Sequence, residues 1–317
     1  MPAHGERVAI CIPCFNASRF LPELAASIAA QTRPFDEVIL YDDASTDDSV
    51  AVARALILFT TIVRGEVNLG PGPARNKCLE RTTADWIHFQ DADDLMAADY
   101  LERCMSFTGK ADVVIASGRP NAGLAYDYSD LSTGEDPIAY CLRKTILGSF
   151  GLYRRSTLVG VGGFASDLAG LGHEDPDLHV RLAAAGARFV ATSEQLILHR
   201  QTPDSFSLRR WDLCLLGAVV ASRRWLRDLP PRYHPLVVRG LELTARECDR
   251  AGFTATADRA WSLAKQSGIR LEFPSRYLGV QRIGRWVGPD VLSALRRGRV
   301  GSAWRRLTSR TPYGPGA

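Results

Sequence analysis

The 317-residue chain predicts an α/β protein: a mostly parallel sheet flanked by helices, followed by a helical C-terminal region. Three observations carry this. Short apolar runs alternate with stretches of helical spacing up to about residue 200. Acidic or glycine-rich turns close the strand-like runs. Past Ser205 those runs stop and helical spacing alone remains. At 46% hydrophobic and 23% charged residues the composition is that of an ordinary soluble domain. A net charge of +4 calls for no polyanionic partner such as nucleic acid.

Val8-Ala-Ile-Cys-Ile12 reads as a buried strand stopped by Pro13. Phe20, Leu24 and Ile28 then recur at helical spacing, with Asn16 or Ser18 placed to cap that helix. Glu37-Val-Ile-Leu-Tyr41 is a second strand, ending on Asp42 and Asp43. Residues 47–58 read as a helix and 59–67 as a weak third strand. Residues 68–80 form a turn feeding a helix; Pro71 and Pro73 sit in its first turn, where a missing N–H costs nothing. Trp86-Ile-His-Phe89 is a fourth strand, with Asp91, Asp93 and Asp94 crowded just beyond it. A helix near 98–107 and a strand at 112–116 follow. Residues 118–148 are polar and read as a loop-rich insertion. Residues 160–164 make a glycine turn, 173–186 a loop entering a helix stopped by Gly186, and 188–199 a short strand pair. Helices cover about 207–228, 235–251 and 255–267. The boundary falls near Pro203, giving an N-terminal domain 1–204 and a C-terminal region 205–317.

In parallel sheets of this kind ligands gather at the carboxyl ends of strands. Asp42, Asp43, Asp91 and Asp93 all stand at such ends. Carboxylates that close repel one another unless a cation lies among them. Asp91 and Asp93 suit a hard divalent ion, Mg²⁺ or Mn²⁺, which takes one or two carboxylates and completes its shell with phosphates and water. Asp94 reads as a turn or helix cap. Asp42-Asp43 fits a nucleobase or ribose contact, and a tight turn equally well. Arg75, at a helix start after a glycine turn, is placed to meet a diphosphate. Glu174-Asp175 opens a helix and offers either favourable dipole charge or a general base. Cys11 and Cys14 make a lone Cys-x-x-Cys with no second pair to complete a zinc site. The odd, scattered set of 7 cysteines reads as reduced thiols in a cytosolic protein.

The segments ICIPCFNAS, VILYDDASTDDS, NLGPGPARNKCLE, WIHFQDADD and GVGGFASDLAGLGHEDPDLHVRL, in this order, resemble the glycosyltransferases of family 2. The resemblance spans about residues 7–200 and implies a GT-A type, Rossmann-like fold. It also implies an inverting, metal-assisted transfer from a nucleotide-diphosphate sugar, UDP-sugar foremost, to an acceptor hydroxyl. By that similarity Pro13, Phe15 and Asn16 pack against the base, with Phe15 stacking where relatives commonly carry tyrosine. Asp43 and Asp42 hold the base, and Arg75 lies near the nucleotide. Asp91-Ala-Asp93 corresponds to the DxD motif, with Asp93 on the metal and Asp91 on the ribose or a metal-bound water. Asp175 matches the catalytic base. The acceptor is a glycan, a lipid-linked sugar or a small molecule.

Two departures from the family pattern bear on the product. Thr202 stands where many relatives place a histidine after the last strand, and His199 reads as structural. Ser207 stands where polymerising relatives carry glutamine in Gln-x-x-Arg-Trp, so a single addition is expected rather than a processive polymer. His173 is a candidate acceptor contact. From Arg270 onward ten arginines face only Glu272 and Asp290, which suits a solvated tail, contact with a phosphate-bearing acceptor, or peripheral contact with anionic lipid on the cytoplasmic face of a membrane. Competing classes are a nucleotidyltransferase, which lacks its basic glycine-rich loop here, and an inactive nucleotide-sugar binder.

Overall fold

Residues Val8 to Ile12 are fully buried because β1 (Val8–Cys14) runs through the middle of the sheet. The computed structural model describes residues 5–56, 58–121, 123–201 and 205–271. After β1 come α1 (Leu21–Ala29), β2 (Glu37–Asp42), α2 (Ser49–Ala55), β3 (Thr61–Arg64), α3 (Pro71–Leu79) and β4 (Trp86–Phe89). These four strands pair in parallel in the order β3-β2-β1-β4. Their carboxyl ends therefore share one edge, and the loops after β1, β2 and β4 meet there.

The second half is mixed. After β5 (Leu95–Met96) and α4 (Tyr100–Met105) come β6 (Val113–Pro120), α5 (Pro137–Arg143), β7 (Gly151–Arg154) and α6 (Arg155–Gly160). The sheet ends with α7 (Glu174–Ala184) and β8 (Phe189–His199). The full order is β3-β2-β1-β4-β7-β6-β8-β5, eight strands. β7 runs antiparallel to both β4 and β6, and β5 antiparallel to β8, while β6 and β8 are parallel. Such reversals need no helical crossover, so the alternation that predicts a parallel sheet does not mark them.

Local details differ from the sequence reading. Neither Asn16 nor Ser18 caps α1; the cap position is Phe20, with no side-chain bond. Asn16 instead takes a left-handed backbone (φ 50°) and accepts the N–H of Thr46 at 2.8 Å, tying the β1 loop to the β2 loop. Residues 189–199 form one strand rather than a pair. The expected loop at 118–148 carries α5, capped by the Asp136 carboxylate on the N–H groups of Ile138 and Ala139. Asp94 caps no helix; it is fully buried and accepts the backbone N–H of Arg200 at 2.8 Å.

Past residue 205 the chain forms α8 (Phe206–Arg209), α9 (Trp211–Asp228), α10 (His234–Ala251) and α11 (Thr254–Gln266). Ala221, Trp225, Leu229, Tyr233 and Val237 join the core that begins at Val8, so these helices share the sheet's apolar interior. The compact unit runs to Ile269. No described helix is long and apolar enough to cross a membrane. Thr202, Pro203 and the Arg-rich segment beyond Leu271 lie outside the described residues.

Candidate active site

The cation among the clustered carboxylates is Arg75. Its side chain, 3% exposed, projects from α3 beneath the β4 turn. One terminal nitrogen donates to Asp91 Oδ1 at 2.6 Å; the other donates to Asp175 Oδ1 at 2.9 Å and lies 3.5 Å from Glu174. The guanidinium also faces the Phe164 ring, 5.2 Å from its centroid. Asn76 holds that ring in place by clamping the Phe164 backbone, donating to its C=O at 2.8 Å and accepting its N–H at 2.9 Å. The DxD-like turn and the start of α7, some eighty residues apart in sequence, thus close on one side chain.

Asp175 is buried down to 15% of its side chain and is held from behind. Burial raises its pKa, Arg75 opposes this, and Asp91 adds to the rise. The Gly148 backbone hydrogen-bonds its carboxylate, and a Cβ at Gly148 would stand 2.5 Å from Oδ1, so only glycine leaves room. Fully buried His179 reaches the Asp175 carbonyl at 2.8 Å and the Tyr153 hydroxyl at 2.9 Å; that hydroxyl donates to the Gly148 carbonyl at 3.1 Å. Burial depresses the His179 pKa to about 4, so this brace is neutral at physiological pH. Sequence reasoning missed Gly148, Tyr153, His179, Asn76 and Phe164 as parts of the site. Asn76, Phe164 and His179 lie inside recognisable segments, while Gly148 and Tyr153 do not.

Glu174 is the strained member. Burial and then Asp175 push its pKa up to about 7, against the pull of Arg75. A carboxyl whose folded pKa exceeds its unfolded value favours the fold most when protonated, and that contribution fades as pH rises through the folded pKa. The fold should therefore lose stability between about pH 4.5 and 7 through this group. Glu174→Gln is expected to raise stability at pH 8 by on the order of 1–3 kcal/mol and to flatten the decline. Thermal melts of both proteins from pH 5 to 8 check this; parallel curves would contradict it.

Asp93 is mostly buried, and burial plus the charge of Asp91 raises its pKa to about 6, with Arg200 and Arg19 offsetting part of the rise. No described group of three or more ligating side chains could hold a metal by itself. Asp91 and Asp93 supply two carboxylates, one already sharing an oxygen with Arg75. That donor set fits Mg²⁺ or Mn²⁺ completed by phosphate oxygens and water, and it does not fit zinc.

The nucleotide-side residues divide into two groups. Asp43 gives its oxygens to the N–H groups of Leu69 and Gly70 at 2.8–3.0 Å, so it staples the turn that launches α3 and Arg75. Asp42 is fully buried and accepts Ser45 N–H at 3.2 Å, yet its Oδ1 has no hydrogen-bond partner. An orphaned buried acceptor of this kind suits a donor from a nucleoside. Ala44, like Asn16, adopts a left-handed backbone (φ 63°), so both facing loops carry local strain of the sort found at binding sites. A cleft of about 530 Å³ opens beside them, lined by Ala44, Ser45, Thr46, Arg64, Gly65 and Glu66. Pro13 does not stop β1: it pairs in register with Tyr41 and the strand runs on to Cys14, after which Phe15 leaves its ring 48% exposed on the loop. His199 bonds the Tyr126 hydroxyl at 3.0 Å, a structural role. His173 packs toward the Trp225 ring at 5.8 Å, and burial lowers its pKa to about 4.

The mixed eight-stranded sheet, with acidic turns at the carboxyl edge of β2 and β4, is a GT-A type fold. Residues 9–156 match the model of glycosyl transferase family 2. An uncharacterized glycosyltransferase of Haemophilus influenzae is 35% identical over 144 residues, 43% of this chain and 54% of that protein. A Mycobacterium tuberculosis PGL/p-HBAD biosynthesis glycosyltransferase is 30% identical over 158 residues, covering 45% and 62%. EpsE of Bacillus subtilis is 26% identical over 228 residues, covering 68% and 81%. The chain thus spans about half the length of the first of these relatives. Among solved structures, mannosyltransferase PcManGT from Pyrobaculum calidifontis with GDP-Man and Mn²⁺ aligns at TM-score 0.62 and 19% identity, over 97% of this chain and 85% of its own. S. aureus TarS 1-349 with UDP-GlcNAc aligns at 0.57 and 17%, over 84% and 94%. At such identities these two speak for the fold alone.

Proposed function

We propose that the chain is an inverting glycosyltransferase that moves one sugar from a nucleotide-diphosphate sugar to an acceptor hydroxyl. The observation that carries this reading is the Arg75 bridge, which ties Asp91, beyond the end of β4, to Asp175 in the first turn of α7. Asp175 takes the proton from the acceptor hydroxyl as its oxygen attacks the anomeric carbon. Asp93, with Asp91, would hold Mg²⁺ or Mn²⁺, which when bound neutralises charge on the departing diphosphate. Phe15 stacks on the base, Pro13 and Asn16 shape its loop, and Asp42 and Asp43 contact or support the nucleoside. The resemblance to family 2 supports a UDP-sugar as donor, and the fold's neighbours TarS and PcManGT, seen with UDP-GlcNAc and GDP-Man, make GDP-sugar the alternative to assay beside it.

The region 205–317 takes the acceptor or a membrane surface, and the enzyme works at the cytoplasmic side of surface-glycan, lipid-linked oligosaccharide or metabolite glycosylation. Titration calorimetry with Mn²⁺ and UDP or GDP tests the donor side. Asp93→Ala is expected to abolish the metal-dependent part of the affinity while leaving the melting temperature within a few degrees. Unchanged metal dependence would remove Asp93 from the site and favour an inactive nucleotide binder.

A further inference from the structure

Eight large apolar side chains are exposed across the described residues, and three of them fall within six consecutive positions: Phe206 (37%), Leu208 (65%) and Trp211 (44%). The whole stretch from Phe206 to Trp211 is exposed, including Arg209 and Arg210. It comprises α8 and the turn into α9, and it stands beside the catalytic edge. Gly172, two residues before Glu174, abuts it: a Cβ there would lie 2.6 Å from the Phe206 ring. Its left-handed backbone (φ 64°) seats the Phe206 ring against the loop that leads into Asp175. Core-forming residues of α9 begin only at Leu215, so the three keep 37–65% of their surface exposed.

A cluster of aromatic and aliphatic side chains interleaved with arginine has the chemistry of an interfacial anchor: the rings enter the acyl boundary while guanidinium groups meet anionic headgroups. We infer that Phe206, Leu208 and Trp211, flanked by Arg209 and Arg210, dock the enzyme on an anionic lipid bilayer and present the Asp175 pocket to acceptors at that surface. Charge complementarity selects this occupant. Arg209 and Arg210 sit within the apolar patch against one acidic neighbour, Asp212, 3.5 Å from Arg210, and the sequence holds ten more arginines from Arg270 onward against only Glu272 and Asp290. A protein partner with an apolar face would gain nothing from that excess. The docking rests on this patch, and the presentation of Asp175 to acceptors rests on the function proposed above.

Sedimentation of the full chain with phosphatidylcholine vesicles, with and without 30 mol% phosphatidylglycerol (about that fraction suffices for a negative surface potential), tests it. Wild type is expected to pellet with the anionic vesicles only. The triple variant Phe206→Ser/Leu208→Ser/Trp211→Ser should bind roughly 100-fold less tightly, since each large apolar side chain that leaves the bilayer weakens binding. Arg209→Gln/Arg210→Gln should weaken binding and reduce its salt dependence. These positions are exposed, Phe206 least, so melting temperatures should fall by no more than a few degrees. Brominated lipid should quench tryptophan emission in wild type and less so in Trp211→Phe. Wild-type partitioning of the triple variant, or absence of wild-type binding to anionic vesicles, overturns the inference. So does a wild-type dimer in sedimentation equilibrium that the triple variant converts to monomer, which would assign the patch to a second copy.

Discussion

Arg75→Met is expected to destabilise the fold by roughly 3–5 kcal/mol at pH 8, because it strands carboxylates that were buried around one cation. Arg75 faces Asp91, Asp175 and Glu174 while only 3% exposed itself. Methionine fills much of the volume, so the loss is electrostatic rather than a cavity. The sign with pH follows. Without the guanidinium, the pKa values of Asp175 and Glu174, already raised by burial, rise further. The variant should therefore recover stability as pH falls and those carboxyls take up protons. Arg75→Lys should rescue little. The two terminal nitrogens of arginine reach different carboxylates, at 2.6 and 2.9 Å, and a single ammonium cannot reproduce that fork. Chemical denaturation at pH 5 and pH 8 measures all three proteins. Equal stability of wild type and Arg75→Met at pH 8 would show that the cluster is held by something else.

The same residue shows what a sequence can and cannot disclose. The acidic turn after Trp86 and the helix start at Glu174 are visible as patterns, and resemblance supplies their order. That one arginine joins them is a fact of tertiary geometry. Asp43 illustrates a second limit: a pair such as Asp42-Asp43 reads equally as turn or ligand, and the fold divides the roles. Asp43 is spent on the Leu69 and Gly70 N–H groups, while Asp42 keeps a buried oxygen without a partner. β1, β2 and β4 are legible because they are buried on both faces and read as nearly unbroken apolar runs, whereas β3, an edge strand with no buried residue, reads only weakly. β7 is not, because its four residues Gly151–Arg154 include glycine and arginine and serve mainly to reverse the sheet. Gly148 is silent in sequence for a simpler reason: nothing beside it indicates that a carboxylate from residue 175 will press against its Cα.

Asp175→Asn is expected to lower kcat by about 10²–10⁴, the range that general-base help contributes, with donor affinity kept. Asparagine preserves size and one acceptor oxygen, and so keeps the Arg75 contact in weakened form. It cannot take a proton from the acceptor hydroxyl. Gly148→Ala gives an independent arm. Its methyl carbon would meet Asp175 Oδ1 at 2.5 Å and push the carboxylate off the position set by Arg75, the Gly148 backbone and the His179 brace. Turnover should fall in that variant although its carboxylate remains, because catalysis tolerates little displacement of the base. The two variants separate chemistry from placement. A base acting at the reacting hydroxyl predicts that raising pH helps neither, since Asp175→Asn has no proton to lose and Gly148→Ala is limited by geometry. A carboxylate that merely balances Arg75 predicts near-normal kcat in Asp175→Asn with a lowered melting temperature. Single-turnover transfer assays alongside thermal melts tell these apart, and wild-type turnover in Asp175→Asn would move the role of base to another group in the pocket, Glu174 being the next nearest to Arg75 at 3.5 Å.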